Sequence, residues 1–166
     1  MLLDRIASFM KHSLLSFLLL GIFVSTLSAQ STVFIVRHAE KATKGGDDPE
    51  LTEGGQIRAE DLAKMLKDCG ITAIYATEFK RTQETAAPLA KILGIDVTIA
   101  PTKSSLVARL IGSRGNALVV GHGNTIPDLI EALGITTPIN IAENDYDNLF
   151  IVLLNEKPRL IRLHYR

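Results

Sequence analysis

Two arginines and two histidines stand out in the chain because each sits at or just beyond the end of a short apolar run. Arg37 and His38 follow VFIV, Arg81 falls on the expected first turn of the helix after ITAIYA, and His122 follows ALVVG. Gathered in one place, such side chains repel one another and each guanidinium lacks a partner, so an anion is what stabilises the cluster. Phosphate fits best, since it carries a charge of about −1.5 to −2 at neutral pH and accepts hydrogen bonds from arginine forks. An imidazole adds a nucleophile: a neutral ring nitrogen can attack phosphorus and divide one hard displacement into two easier ones. Neighbouring arginines keep that ring unprotonated until the anion arrives. The second histidine and both arginines can then neutralise charge on the transferring oxygens. The segment from Gly121 to Thr125 (GHGNT) adds backbone N–H groups at an expected helix start, with its glycines expected in left-handed turn conformations open to close approach.

The elements that must position these residues alternate between strand-length apolar runs and longer amphipathic stretches, the pattern of an α/β fold. Val33 to Val36 is the first strand, and its unbroken apolar character predicts cover on both faces. Thr52 is placed to cap a first helix running from Glu53 to about Cys69, with Ile57, Leu62, Met65 and Leu66 near helical spacing and Gly70 as the stop. Ile71 to Ala76 is a second strand. A second helix follows, with Thr77 as a cap, Gly94 as its stop and Pro88 predicting a kink or early break. IDVTIA is a third strand and Lys103 to about Ser113 a third helix. Asn116 to His122 is a fourth strand, NTIPDLIEALG a fourth helix, and the tail forms two strands around a turn at Glu156 to Pro158. The expectation is three layers, α/β/α, around a mostly parallel sheet with an antiparallel edge. Ligands bind at the carboxyl ends of strands in such a sheet, so the four scattered side chains can converge there.

Residues 1–29 differ from the rest. Arg5, Lys11 and His12 precede an apolar run from Leu14 to Leu27, and the small residues Ser28 and Ala29 follow. That is the layout of a secretory signal peptide, with cleavage expected near Ala29, a periplasmic or secreted product, and a single domain over residues 30–166. The competing reading is an uncleaved anchor, although the run is short against the roughly 20 apolar residues of a bilayer span. After cleavage no stable membrane insertion is expected. Lys plus Arg and Asp plus Glu number 18 each, which leaves no broad basic field to hold nucleic acid or anionic lipid. Cys69 is the single cysteine, so no disulfide forms within one chain.

VRHAEK, KRTQETA and VVGHGNT together resemble the histidine phosphatase superfamily, the phosphoglycerate mutase-like proteins, in the branch whose first motif is Arg-His-Gly. The likeness extends from Thr32 onward and includes DPELTEGGQIRAEDLA, similar to the family's loop into its first helix. The resemblance implies a phosphoglycerate mutase-like fold, His38 as the phosphorylated nucleophile, Arg37 and Arg81 as phosphoryl clamps and His122 as the second pocket histidine. Ala39 stands where glycine is commoner. The resemblance implies no metal, and no cofactor is expected. The four histidines, His12, His38, His122 and His164, form no zinc-binding spacing either.

One departure concerns the leaving group. Family members that hydrolyse alcohol phosphates usually place a glutamate shortly after the third strand, yet Ala100 to Leu110 contains no carboxylate. Glu78, three residues before Arg81, is the nearest substitute as general acid, its plain alternative being a carboxylate that favours the helix dipole. Glu40, Glu143 and Asp145 lie on loops that could fold over the pocket. Lys41, Lys44, Asp47 and Asp48 are expected on a solvated loop, with the lysines able to steer anions, and Tyr146 is either core or a lid aromatic. His164 is expected to be structural or solvated. The expected activity is metal-independent hydrolysis of phosphate monoesters on a small molecule, glycan or protein, through a phosphohistidine at His38. The alternatives are a phosphohistidine (phosphoamidate) phosphatase and a phosphate-binding module without turnover.

Overall fold

The computed structural model describes residues 31–100 and 102–165; the expected signal peptide lies outside them. Six strands form one sheet: β1 (Ser31–Arg37), β2 (Ile71–Ala76), β3 (Val97–Ile99), β4 (Asn116–Gly121), β5 (Asn148–Leu154) and β6 (Arg159–His164). Their order is β3-β2-β4-β1-β5-β6. The first four run parallel, while β5 pairs antiparallel with β1 and β6 antiparallel with β5. Four helices complete the described fold: α1 (Glu53–Leu66), α2 (Lys80–Leu93), α3 (Lys103–Gly112) and α4 (Ile126–Ala132).

The strand period of two sends alternate side chains of β1 into opposite cores. Phe34 and Val36 pack with Leu62, Leu66, Ala86 and Leu89 of α1 and α2. Val33 and Ile35 pack with Leu106, Leu110, Ile126 and Ile130 of α3 and α4. Both faces are therefore covered, which is why VFIV has no polar interruption. The three layers and the antiparallel edge are those expected from the alternation of elements.

Four local features depart from expectation. In α1 the buried stripe is Gly55, Ala59, Leu62, Ala63 and Leu66, whereas Ile57 is 55% and Met65 43% exposed. A side chain at Gly55 would collide with the Glu40 carbonyl oxygen, so that close approach fixes the helix rotation and turns the two larger residues outward. The helix also stops at Leu66, short of Cys69, before Gly70 at φ +63° leads into β2. In α2, Thr77 does not cap: Phe79 holds the N-cap position, and Asp48 Oδ1 accepts from the Lys80 backbone N–H at 2.9 Å. Pro88 lies inside α2, which continues past it to Leu93, where Gly94 ends it in the left-handed conformation.

Register brings the strand ends together. Arg37 pairs with Gly121 across β1 and β4, and Ala76 with Val120 across β2 and β4. The residues just beyond, His38, His122 and Thr77, thus emerge side by side at the carboxyl edge of the sheet.

Candidate active site

The strand ends open into a cleft of about 940 Å³ whose wall includes Arg37, His38, Arg81 and His122. All four residues singled out by sequence meet there, with the two imidazole centroids 5.4 Å apart. Each arginine lies over an aromatic ring: Arg37 over Tyr146 at 4.4 Å, Arg81 over Phe79 at 4.3 Å. That contact holds each guanidinium against a ring face by cation–π attraction. Arg37 Nη1 donates to the carbonyls of Ala142 and Glu143, which ties the 142–146 loop to the site. Arg37 Nε, Arg81 Nε and Arg81 Nη1 are buried without a hydrogen-bond partner among the described residues. The carboxylate beside Arg81 is Asp48, at 3.8 Å. Buried, unpaired cationic donors are costly, so their convergence marks a place built for an anion.

His38 is 4% exposed and its main-chain N–H donates to Gly121 O at 2.9 Å. Its Nδ1 lies 2.8 Å from Ala39 O. A carbonyl can only accept, so in the neutral ring Nδ1 carries the proton and Nε2 keeps the lone pair. Burial is the main force lowering the His38 pKa to about 4, helped by His122, Arg37 and Arg81 and opposed by the bond to Ala39. Burial and then the Arg81 charge likewise lower the His122 pKa, with Glu78 pulling the other way. The site therefore holds two neutral imidazoles at neutral pH, and His38 offers its Nε2 lone pair.

Two other residues of KRTQETA, Thr85 and Glu84, serve as fasteners. Thr85 Oγ1 donates to Arg81 O at 2.7 Å and accepts from Ala39 N at 2.9 Å, which fixes the end of β1 against α2. Glu84 accepts from the Leu51 N–H at 2.7 Å and pins the loop that precedes α1.

Residues 33–102 match the model of the histidine phosphatase superfamily (branch 1). Over that stretch, which is less than half of the chain, the sequence is similar to that superfamily. A probable phosphoglycerate mutase GpmB of Enterobacter sp. is 36% identical over 75 residues, which are 42% of this chain and 35% of that protein. The chain thus matches only about a third of the length of such curated relatives. Among solved structures, the protein histidine phosphatase SixA complexed with tungstate superposes with a TM-score of 0.65 at 20% identity, covering 80% of this chain and 96% of that one. The alpha-ribazole phosphatase from Shigella flexneri gives 0.66 at 17% identity, covering 81% and 96%. The fold is phosphoglycerate mutase-like.

The carboxylates singled out as acids separate by position. Glu78 is exposed and does not line the cleft, although its charge acts on His122. Glu40 is clasped by Arg58 through Nε and Nη2 at 2.9 and 2.7 Å. Burial opposes ionisation of Glu40, but the Arg58 fork outweighs it and holds the carboxyl below its usual range. Asp145 accepts from Ala142 N within its own loop and lies 3.8 Å from Arg162. Glu143 does line the cleft. Of the loop residues, Lys41 faces the cleft, and Tyr146 sits beside His38 with ring centroids 6.0 Å apart. His164 contacts Asp147 at 3.1 Å on the surface.

The GHGNT segment differs from expectation. Neither Gly121 nor Gly123 has positive φ. Gly121 is needed for closeness, because a Cβ there would press on Ile126 and Thr125 at 3.3 and 3.4 Å. The N–H groups of Thr125 and Ile126 both donate to His122 O at 3.0 Å, so they brace the histidine. Among the described residues no group of three or more His, Cys, Asp or Glu is placed to hold a metal.

Thr77 was missed as a site residue. Its Oγ1 lies 3.0 Å from His122 Nε2 and 2.9 Å from Thr82 Oγ1, and the fully buried Thr82 hydroxyl faces the carbonyls of Phe79 and Thr77 at 2.8 and 3.1 Å. Thr82 must donate to one of those carbonyls, Thr77 then donates to Thr82, and Thr77 accepts from His122 Nε2–H. The relay leaves Nδ1 as the nitrogen of His122 that titrates. The same rule that singled out His38 and His122, a polar residue just past a parallel strand, applies to Thr77. Thr77→Val is expected to lower kcat by about tenfold, the worth of one such hydrogen bond, and to shift the pH profile of kcat; Thr77→Ser should restore both.

The depressed His38 pKa carries its own expectation. In the unfolded chain this histidine takes its proton near 6.5, while the folded site refuses it down to about 4. Its stabilising contribution is therefore complete above pH 6.5 and lost as pH falls from 6.5 through 4. An NMR titration should show the His38 ring neutral until about pH 4, and saturating inorganic phosphate should move that midpoint upward. A midpoint near 6.5 without phosphate would mean a solvated ring.

Proposed function

We propose that the chain is a metal-independent phosphomonoesterase that works through a covalent phosphohistidine on His38, exported by its N-terminal segment. The observation that supports this most is the pairing of a neutral His38 with buried guanidinium N–H groups lacking a partner, all on one cleft wall. A phosphate ester docks its non-bridging oxygens on Arg37 and Arg81, beside His122. The His38 Nε2 lone pair attacks phosphorus, an N–P bond forms, and the ester P–O bond breaks as the alcohol leaves with a proton. Water then attacks phosphorus, the N–P bond breaks, and inorganic phosphate departs with His38 restored. Of the carboxylates weighed as proton donors, Glu143 is the one on the cleft wall; Glu78 would have to act from outside it.

A second reading, a phosphohistidine phosphatase, draws on the lack of any carboxylate from Ala100 to Leu110. An imidazole leaving group, with a conjugate acid near pKa 6.5, needs far less help than an alkoxide. The similarly folded protein histidine phosphatase SixA supports the same reading. Purified protein should release phosphate from an aryl phosphate in the presence of EDTA. No release from aryl phosphate, with release from phosphohistidine peptide, would favour the second reading; release from neither would leave a binding module.

A further inference from the structure

A second cavity, of about 310 Å³, lies between the sheet and helices α3 and α4 at the carboxyl ends of β2 and β4. Its walls are largely apolar, formed by Tyr75, Ala100, Leu106, Val119, Ile126 and Leu129. Lys103 and Asp128 also border it, 3.4 Å apart and each more than half exposed, so the charges sit at its rim. Most of these apolar residues belong to the packed face of the sheet, where close packing is the rule and a void of this size is unusual. Its volume is at the lower end of the range for small-molecule sites and would hold about ten water-sized groups.

The cavity adjoins the phosphate cleft through shared residues. Thr125 lines both spaces. Thr77 lines the apolar one while its hydroxyl reaches His122 Nε2 at 3.0 Å, and Gly121, another wall residue, accepts from the His38 N–H. A phosphoryl group on His38 would therefore have charged and polar walls on one side and, one residue away, an oily chamber.

We infer that this cavity receives the apolar body of the ester, so that the substrate is the phosphate of an apolar alcohol, aromatic or alkyl, with about ten heavy atoms or fewer. The inference rests on the phosphatase reading of the adjoining cleft and narrows its substrate class. The polar lining side chains, Thr77, Thr102, Thr125, Lys103 and Asp128, leave the stretch walled by Leu106, Val119, Ile126 and Leu129 without partners for the hydroxyls of a sugar, whose desolvation there would go unrepaid. Methylenes enter it with the usual gain from leaving water.

Initial rates on methyl, butyl, hexyl and octyl phosphate test this. The specificity constant kcat/KM should climb by about three- to fourfold per methylene until the chamber fills, and octyl over methyl should exceed about a hundredfold. Ala100, half-buried at the end of β3, offers a way to fill the space: Ala100→Phe should bring the octyl-to-methyl ratio down toward one, and the milder Ala100→Leu should give an intermediate ratio. A flat series in the wild type, or an unchanged ratio in both variants, would overturn the inference. If no ester is hydrolysed, calorimetric titration with methyl to octyl phosphonates decides the matter separately. Affinity that rises with chain length and levels in Ala100→Phe upholds the cavity while the phosphatase reading fails; affinity independent of length rejects it.

Discussion

His38→Ala is expected to cut aryl phosphate turnover by on the order of ten-thousand-fold, because residues that act as the covalent centre of a site leave only binding and electrostatics behind when removed. The ring's Nε2 keeps its lone pair in a cleft wall shared with both arginines, and neither Thr77 nor Thr125 is positioned to replace it, since both hydroxyls are committed to His122. The bond from the residue 38 N–H to Gly121 O survives the substitution, so strand β1 keeps its end. Thermal melting of the variant should therefore remain cooperative. Loss of activity together with loss of the melting transition would report a folding defect, whereas loss of activity alone reports chemistry.

Arg81→Ala should lower kcat/KM by about a hundred- to a thousandfold, as expected for a charge-assisted clamp on a transferring phosphoryl group. Arg81 is the sharper choice of the two arginines. Arg37 also anchors the carbonyls of Ala142 and Glu143, so its removal would loosen the 142–146 loop as well as the anion site. Arg81 instead presents Nε and Nη1 without hydrogen-bond partners among the described residues, with its guanidinium over Phe79 and Asp48 3.8 Å from Nη1. Lysine supplies a point charge without the fork, so Arg81→Lys should remain at least about tenfold below the wild type. Inhibition by inorganic phosphate should weaken in parallel. A lysine variant equal to the wild type would show that charge alone, without bidentate geometry, is what the site uses.

The parts of the site that lie immediately past parallel strands were legible in the sequence because strand ends are local signals: an apolar run stops and a polar residue follows. His38 and His122 were found that way, and the pairing of Arg37 with Gly121 is what sets them side by side. Thr77 obeys the same rule, yet its position before a helix points to a cap, because a threonine there has a nearby and common use. The actual support for that helix start comes from Asp48, over thirty residues upstream. The rotation of α1 was misjudged for a related reason. Periodicity weights large apolar residues such as Ile57 and Met65, whereas the helix is seated by Gly55, which permits the close approach to Glu40, with Ala59 and Ala63 buried along the same side. The 142–146 loop was the least legible element. Its place depends on Arg37, more than a hundred residues away, and on stacking of that guanidinium on Tyr146, neither of which leaves a local pattern.

The central claim is that phosphorus becomes bonded to His38 through Nε2. The most direct measurement is to mix the protein with an aryl phosphate, quench in alkali within the turnover time, and locate the phosphoryl group by peptide mass spectrometry and phosphorus NMR. The expected result is an acid-labile mark on His38, of the Nε2 isomer, because Nδ1 is engaged with the Ala39 carbonyl. A phosphoryl group on any other residue, on Nδ1 of His38, or on none while turnover proceeds would contradict it.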